Sequence, residues 1–254
     1  MATRTGALAV SSGLGAGIVL TVIVAGVALG STDYDADAPT GTGAYLGRVV
    51  RERLIEGVDA TAPGFPLWLI AILQLPLWVG LLGAPVWVAR RQGTTVAQLF
   101  GLRFEPRDIG TGLVAGIATQ IVLIPLLYAP LFWLFGDRDL SQEARALTDK
   151  AGSPVGVTLL VIVVLLGAPL VEELFFRGLL FATLDSDARL GRAAVIVLSS
   201  LVFGLAHLQA LQFPALVMFG LVAALLVHRS GRLGPAIWAH FGFNLVTVVA
   251  LLTA

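Results

Sequence analysis

Between Ala168 and Leu184 the chain reads APLVEELFFRGLLFATL, which sets two adjacent carboxylates and an arginine in an apolar run. A charged residue at the centre of a membrane helix costs roughly 2.5–3.5 kcal/mol on insertion scales. Glu172, Glu173 and Arg177 therefore need a reason to be there. Helical geometry supplies half of one. Glu173 and Arg177 are four residues apart and can pair on one face. Glu172 lies about 100° around the helix, off that row. One carboxylate is thus committed to structure, and the other is left for chemistry. At the end of a span Arg177 could snorkel to the headgroups. However, the apolar sequence GLLFAT follows it, which puts Glu172 roughly 15–18 Å deep at about 1.5 Å per residue.

Few other polar side chains occupy the later apolar runs. SSLVFGLAHLQ carries Phe203 and His207, and GPAIWAHFGFNLV carries His240 and Asn244, each pair spaced to share a helix face. Taken alone, either histidine would serve as well for a packing hydrogen bond between helices. By the same residue counting His207 lies about 20 Å deep and His240 and Asn244 about 8–14 Å, so all can meet Glu172 in one cavity. His228, beside Arg229, reads as interfacial, and Gln74 and Gln120 read as helix-packing residues.

The elements that must hold these groups are membrane helices. Hydrophobic residues make up 57% of the 254 residues and charged ones only 13%, too few for an ordinary soluble surface. The net charge of zero leaves no basic footprint for nucleic acid. The chain has no cysteine, so disulfides and thiolate metal sites do not arise. Runs long enough for a span of about 20 residues fall at 6–30, 65–89, 109–135, 155–181, 193–211, 213–228 and 235–253. The expected fold is all-α, a polytopic bundle of about seven transmembrane helices in the cell membrane. The sixth run is short enough to be tilted or re-entrant.

With the N-terminus in the cytoplasm, nine cationic residues fall inside and six outside, and ten of the sixteen acids fall outside. This is the sense of the positive-inside rule. Residues 42–57 read as an amphipathic helix lying outside. Residues 94–108 read as an inner interfacial segment ending in Asp108 as N-cap of the third span. Gly13-xxx-Gly17 and Gly112-xxx-Gly116 permit close helix packing. The chain divides into N-terminal spans with these two segments (1–154) and a four-helix core that carries the polar groups above (155–254).

Glu-Glu-x-x-x-Arg (Glu172, Glu173, Arg177), Phe-x-x-x-His (Phe203, His207) and His-x-x-x-Asn (His240, Asn244), in that order on successive late spans, resemble the CAAX-protease and bacteriocin-processing family of intramembrane endopeptidases. The resemblance covers about residues 155–250. It implies that Glu172 activates water with help from His207. It implies further that His240 and Asn244 stabilise the oxyanion, while Glu173, Arg177 and Phe203 support the site. Hydrolysis of a peptide bond needs such a base, oxyanion donors and an acid for the leaving amine.

The chain has no Gly-x-Ser-x-Gly elbow, which argues against a covalent acyl-enzyme. Glu172, His207 and His240 would also make a zinc site with an open position. Asn244 is a poor zinc ligand, and no His-Glu-x-x-His pair is present. Catalysis without a cofactor is the preferred expectation, with zinc as the alternative. The expected substrate is a membrane-associated protein or peptide, lipidated or not, within the lipid bilayer. Competing readings are a transporter or proton relay, for which no inverted repeat is visible, and a non-catalytic immunity or scaffold protein.

Overall fold

The computed structural model describes residues 6–13, 15, 67–136, 140, 145, 149 and 153–253. The predicted external amphipathic segment at 42–57 and most of the first expected span lie outside the described residues. Among the described residues, 6–13 are helical, followed by α1 (Leu67–Arg91), α2 (Val96–Phe100), α3 (Pro106–Leu134), α4 (Pro154–Asp185), α5 (Arg192–Ala206), α6 (Phe213–Ser230) and α7 (Gly234–Leu252).

Four of these, α3, α4, α6 and α7, are long and apolar enough to cross a bilayer. Only 28–33% of their apolar windows is buried inside the protein. Large side chains such as Val114, Leu126, Trp133 and Val155 stand on the outer surface. Apolar surface this extensive is costly in water and natural in lipid, so the chain is a multi-pass helical membrane protein. The sixth expected span is one of the four. The fifth is the short one: α5 stops at Ala206, after 15 residues.

Prolines shape the two longest helices. The chain turns π-helical over Thr119–Leu123, just before Pro125, and over Val161–Gly167, just before Pro169. A proline has no N–H and its ring crowds the carbonyl four residues back. Widening the preceding turn relieves both problems. A third π-helical stretch, Leu174–Leu180, follows the two glutamates and contains Arg177. Gly167 lets α1 close on α4, because a Cβ there would overlap the Trp78 indole.

The packing of α3 against α7 fixes the position of His240 and Asn244. A Cβ on Gly112 would lie 2.6 Å from the Pro235 carbonyl oxygen, and one on Gly116 would overlap the Ala239 carbonyl. The second small-residue motif thus packs as expected, and Gly13 packs likewise, where a Cβ would come 2.7 Å from Ala84 Cβ. Gly17 lies outside the described residues. Gly116→Ala is expected to cost about 1–3 kcal/mol through overpacking, read as a lower unfolding midpoint in detergent.

At the N-terminal end of this pair the segment before α3 is locked to the turn before α7. Helix α2 is closed by Thr95 and Gln98, which cap each other's backbone N–H at 3.2 and 3.3 Å. Gly101 ends it at φ +66°, against the Gly231 carbonyl, and accepts from the Leu233 N–H at 2.8 Å. Asp108 is not the N-cap of α3. The cap is Glu105, Pro106 opens the helix, and Asp108 sits three residues on, accepting from the Glu105 N–H at 2.8 Å. Proline is well suited to the first helical position, so the start moves back to it. The Asp108 carboxylate is fully buried and receives Arg232 Nε at 3.0 Å. Arg232 Nη1 also pairs with Glu105 at 3.2 Å.

Candidate active site

Glu172 and Glu173 close the α-helical turn Ala168–Glu173 between the two π-helical stretches of α4. Arg177 donates from Nη1 to Glu173 Oε1 at 3.0 Å, with both side chains wholly buried. The expected pairing forms. Glu173 has a second partner as well, since its Oε1 lies 2.9 Å from His240 Nδ1, 67 residues away in sequence. Glu172 Oε2 is buried without a hydrogen-bond partner among the described residues. It faces both imidazoles, 3.7 Å from His207 Nε2 and 3.9 Å from His240 Nε2. The acid left unpaired by helical geometry is the one the histidines surround.

His207 is not inside the fifth span but at its end. It is the C-cap of α5, and the next residue, Leu208, adopts φ +53°. Side chains with a Cβ avoid that left-handed region. The chain then turns through 207–212 before α6 begins, with the Leu211 carbonyl accepting from Tyr128 Oη at 2.6 Å. Ending the helix there lets the imidazole swing back. His207 Nδ1 lies 2.8 Å from the Phe203 carbonyl oxygen. A carbonyl only accepts, so Nδ1 carries the hydrogen and neutral His207 presents a lone pair at Nε2 to Glu172.

Aromatic rings form the floor. Phe203 and Phe219 are fully buried, with the Arg177 guanidinium carbon 4.2 Å and 5.7 Å from their ring centres. Arg177 Nε and Nη2 have no hydrogen-bond partner among the described residues, and the faces of the rings offset part of that lack. Phe203 also meets His207 edge-on with ring centres 4.6 Å apart, and Phe219 meets His240 at a tilt with centres 4.8 Å apart. The sequence assigned Phe203 a supporting place. Phe219 sits in an unbroken apolar run and gave no signal.

Above the floor opens a cavity of about 200 Å³ that includes Glu172, His207, His240 and Asn244 in its lining. Asn244 donates from Nδ2 to the Val164 carbonyl at 2.9 Å, in the π-helical stretch before Pro169. Its second amide hydrogen and its oxygen remain available. All four proposed catalytic residues are thus brought together, with Glu173, Arg177 and Phe203 beneath them.

Among the described residues no group of three or more His, Cys, Asp or Glu is arranged to hold a metal ion. Two donors on tetrahedral zinc stand about 3.3 Å apart, less than either distance from Glu172 to the imidazoles.

Residues 154–246 match the family described as type II CAAX prenyl endopeptidase Rce1-like. These residues include every site residue named above. A Bacillus subtilis (strain 168) protein carrying the name "Putative membrane peptidase YdiL" is 28% identical over 118 residues, 46% of either chain. The chain thus matches about half the length of that curated relative. No solved structure matches.

Proposed function

We propose that this protein is an intramembrane endopeptidase that hydrolyses a peptide bond of a membrane-associated protein or peptide, using Glu172 and His207 to activate water and no metal. The observation that carries the reading is the meeting of Glu172 Oε2 with the Nε2 atoms of His207 and His240, 3.7 and 3.9 Å away, at the floor of a membrane-embedded cavity. The Rce1-like match and the name of the Bacillus relative point to the same chemistry.

The hydrogen-bond pattern supports these roles. Glu172 and the lone pair of His207 are acceptors facing one another, so a bridging water satisfies both with its two hydrogens. Its oxygen is then left to attack the substrate carbonyl. Glu172 takes the water's proton as the carbon–oxygen bond forms. It delivers that proton to the amine as the carbon–nitrogen bond breaks, so no group is consumed.

The oxyanion needs donors. Asn244 offers its remaining amide hydrogen. In the form with hydrogens on both ring nitrogens, His240 offers Nε2–H while Nδ1–H is held by Glu173.

The test is cleavage of a membrane peptide by purified protein in liposomes. Wild type is expected to retain its rate in the presence of a strong zinc chelator. His207→Ala and His240→Ala are each expected to lose about 10²–10⁴-fold in kcat. Abolition by chelator, with restoration by zinc, would overturn the metal-free mechanism.

A further inference from the structure

The catalytic groups occupy only one end of the cavity. His240, Asn244, Thr247 and Leu251 line it from α7, at the i, i+4, i+7, i+11 spacing of a single helical stripe. Across from them stand Leu160 and Val164 of α4, Leu216 of α6, and Gln209 from the break after α5. From His240 to Leu251 the stripe runs about 16 Å at 1.5 Å per residue. At about 3.3 Å per residue, that length takes about five residues of extended chain.

Two polar side chains in this stretch have no task in the chemistry proposed above. Among the described residues, Thr111, Thr119, Thr158, Thr183, Ser199 and Ser200 each bond back to a carbonyl three or four residues earlier in their own helix. This is how a hydroxyl is satisfied in an apolar setting. Thr247 makes no such bond. It is half-buried and turns into the cavity. The Gln209 amide, also half-buried, likewise has no protein partner among the described residues, whereas neighbouring Gln212 donates to the Leu140 carbonyl at 3.2 Å. Hydrogen-bonding capacity left unspent on a cavity wall is available to a ligand that enters it. A glutamine amide both donates and accepts, as a peptide unit does.

We propose that Gln209 and Thr247 bind the main chain of an extended substrate peptide on the Leu251 side of the scissile bond, with its side chains against Leu160, Val164 and Leu216. This rests on the endopeptidase reading and names how that site holds its substrate. Because the contacts are to main chain, they fix register and extension without selecting a side chain.

The experiment compares Gln209→Leu and Thr247→Val with wild type on a cleavable membrane peptide and on the same peptide N-methylated at successive amides. Binding of each peptide is measured in parallel on the Glu172→Gln background. Each substitution is expected to raise KM and Kd about tenfold, the loss of one hydrogen bond, with kcat within about threefold. N-methylation at one position is expected to weaken binding to wild type about tenfold and to add nothing in Gln209→Leu or Thr247→Val. Unchanged KM and Kd in both variants, or N-methylation penalties equal in every variant, would overturn the proposal. Binding with these penalties but no cleavage by wild type would overturn the protease reading and leave the peptide site standing.

Discussion

Glu172→Gln is expected to abolish hydrolysis, lowering kcat at least about 10³-fold while the protein stays folded. The amide is nearly isosteric with the carboxylate but accepts no proton from water and returns none to the leaving amine. Structure should be spared, because Glu172 Oε2 has no hydrogen-bond partner to lose among the described residues. The readout is single-turnover cleavage in liposomes beside the unfolding midpoint in detergent. Wild-type turnover in this variant would remove Glu172 from the mechanism and leave a non-catalytic membrane protein as the better description.

The second large effect falls on stability. Arg177→Met leaves Glu173 buried opposite only His240, and Glu173→Gln leaves the Arg177 guanidinium buried without its counter-ion. Removing one partner of a buried pair costs about 3–5 kcal/mol, a large share of the stability of a typical domain. Each single variant should therefore unfold far earlier in a denaturant titration. The double variant Glu173→Gln with Arg177→Met should recover part of the loss, because neither member of the pair is left charged without the other. It should still cleave poorly, since His240 has lost the carboxylate that orients it. A double variant no more stable than either single one would show that the pair is not the source of the cost.

The division of labour between the two glutamates was readable in the sequence, because four-residue spacing on a helix is a local rule. It marked Glu173 as the partner of Arg177 and left Glu172 unpaired. The bond from His240 to Glu173 was not readable, since it depends on how α7 leans against α4. The close approach of α3 and α7 was visible as Gly112 and Gly116, although nothing in the motif named the partner helix.

The end of α5 was misjudged for a specific reason. A helix that stops at a left-handed residue usually announces it with glycine or asparagine, and here Leu208 takes that position within an apolar run. The start of α3 was misjudged for the opposite reason. Pro106 suits the first helical position, while Asp108, two residues on, resembles a cap by residue type alone.

The shortness of α5 bears on the other reactant of any hydrolysis, which is water. Fifteen residues cover about 22 Å at 1.5 Å per residue, while the hydrocarbon layer is about 30 Å thick. A bilayer meets such a deficit by thinning around the short helix. Thinning of that kind would draw the headgroup zone towards the turn at 207–212 and give water a route to the imidazole of His207 from the membrane surface.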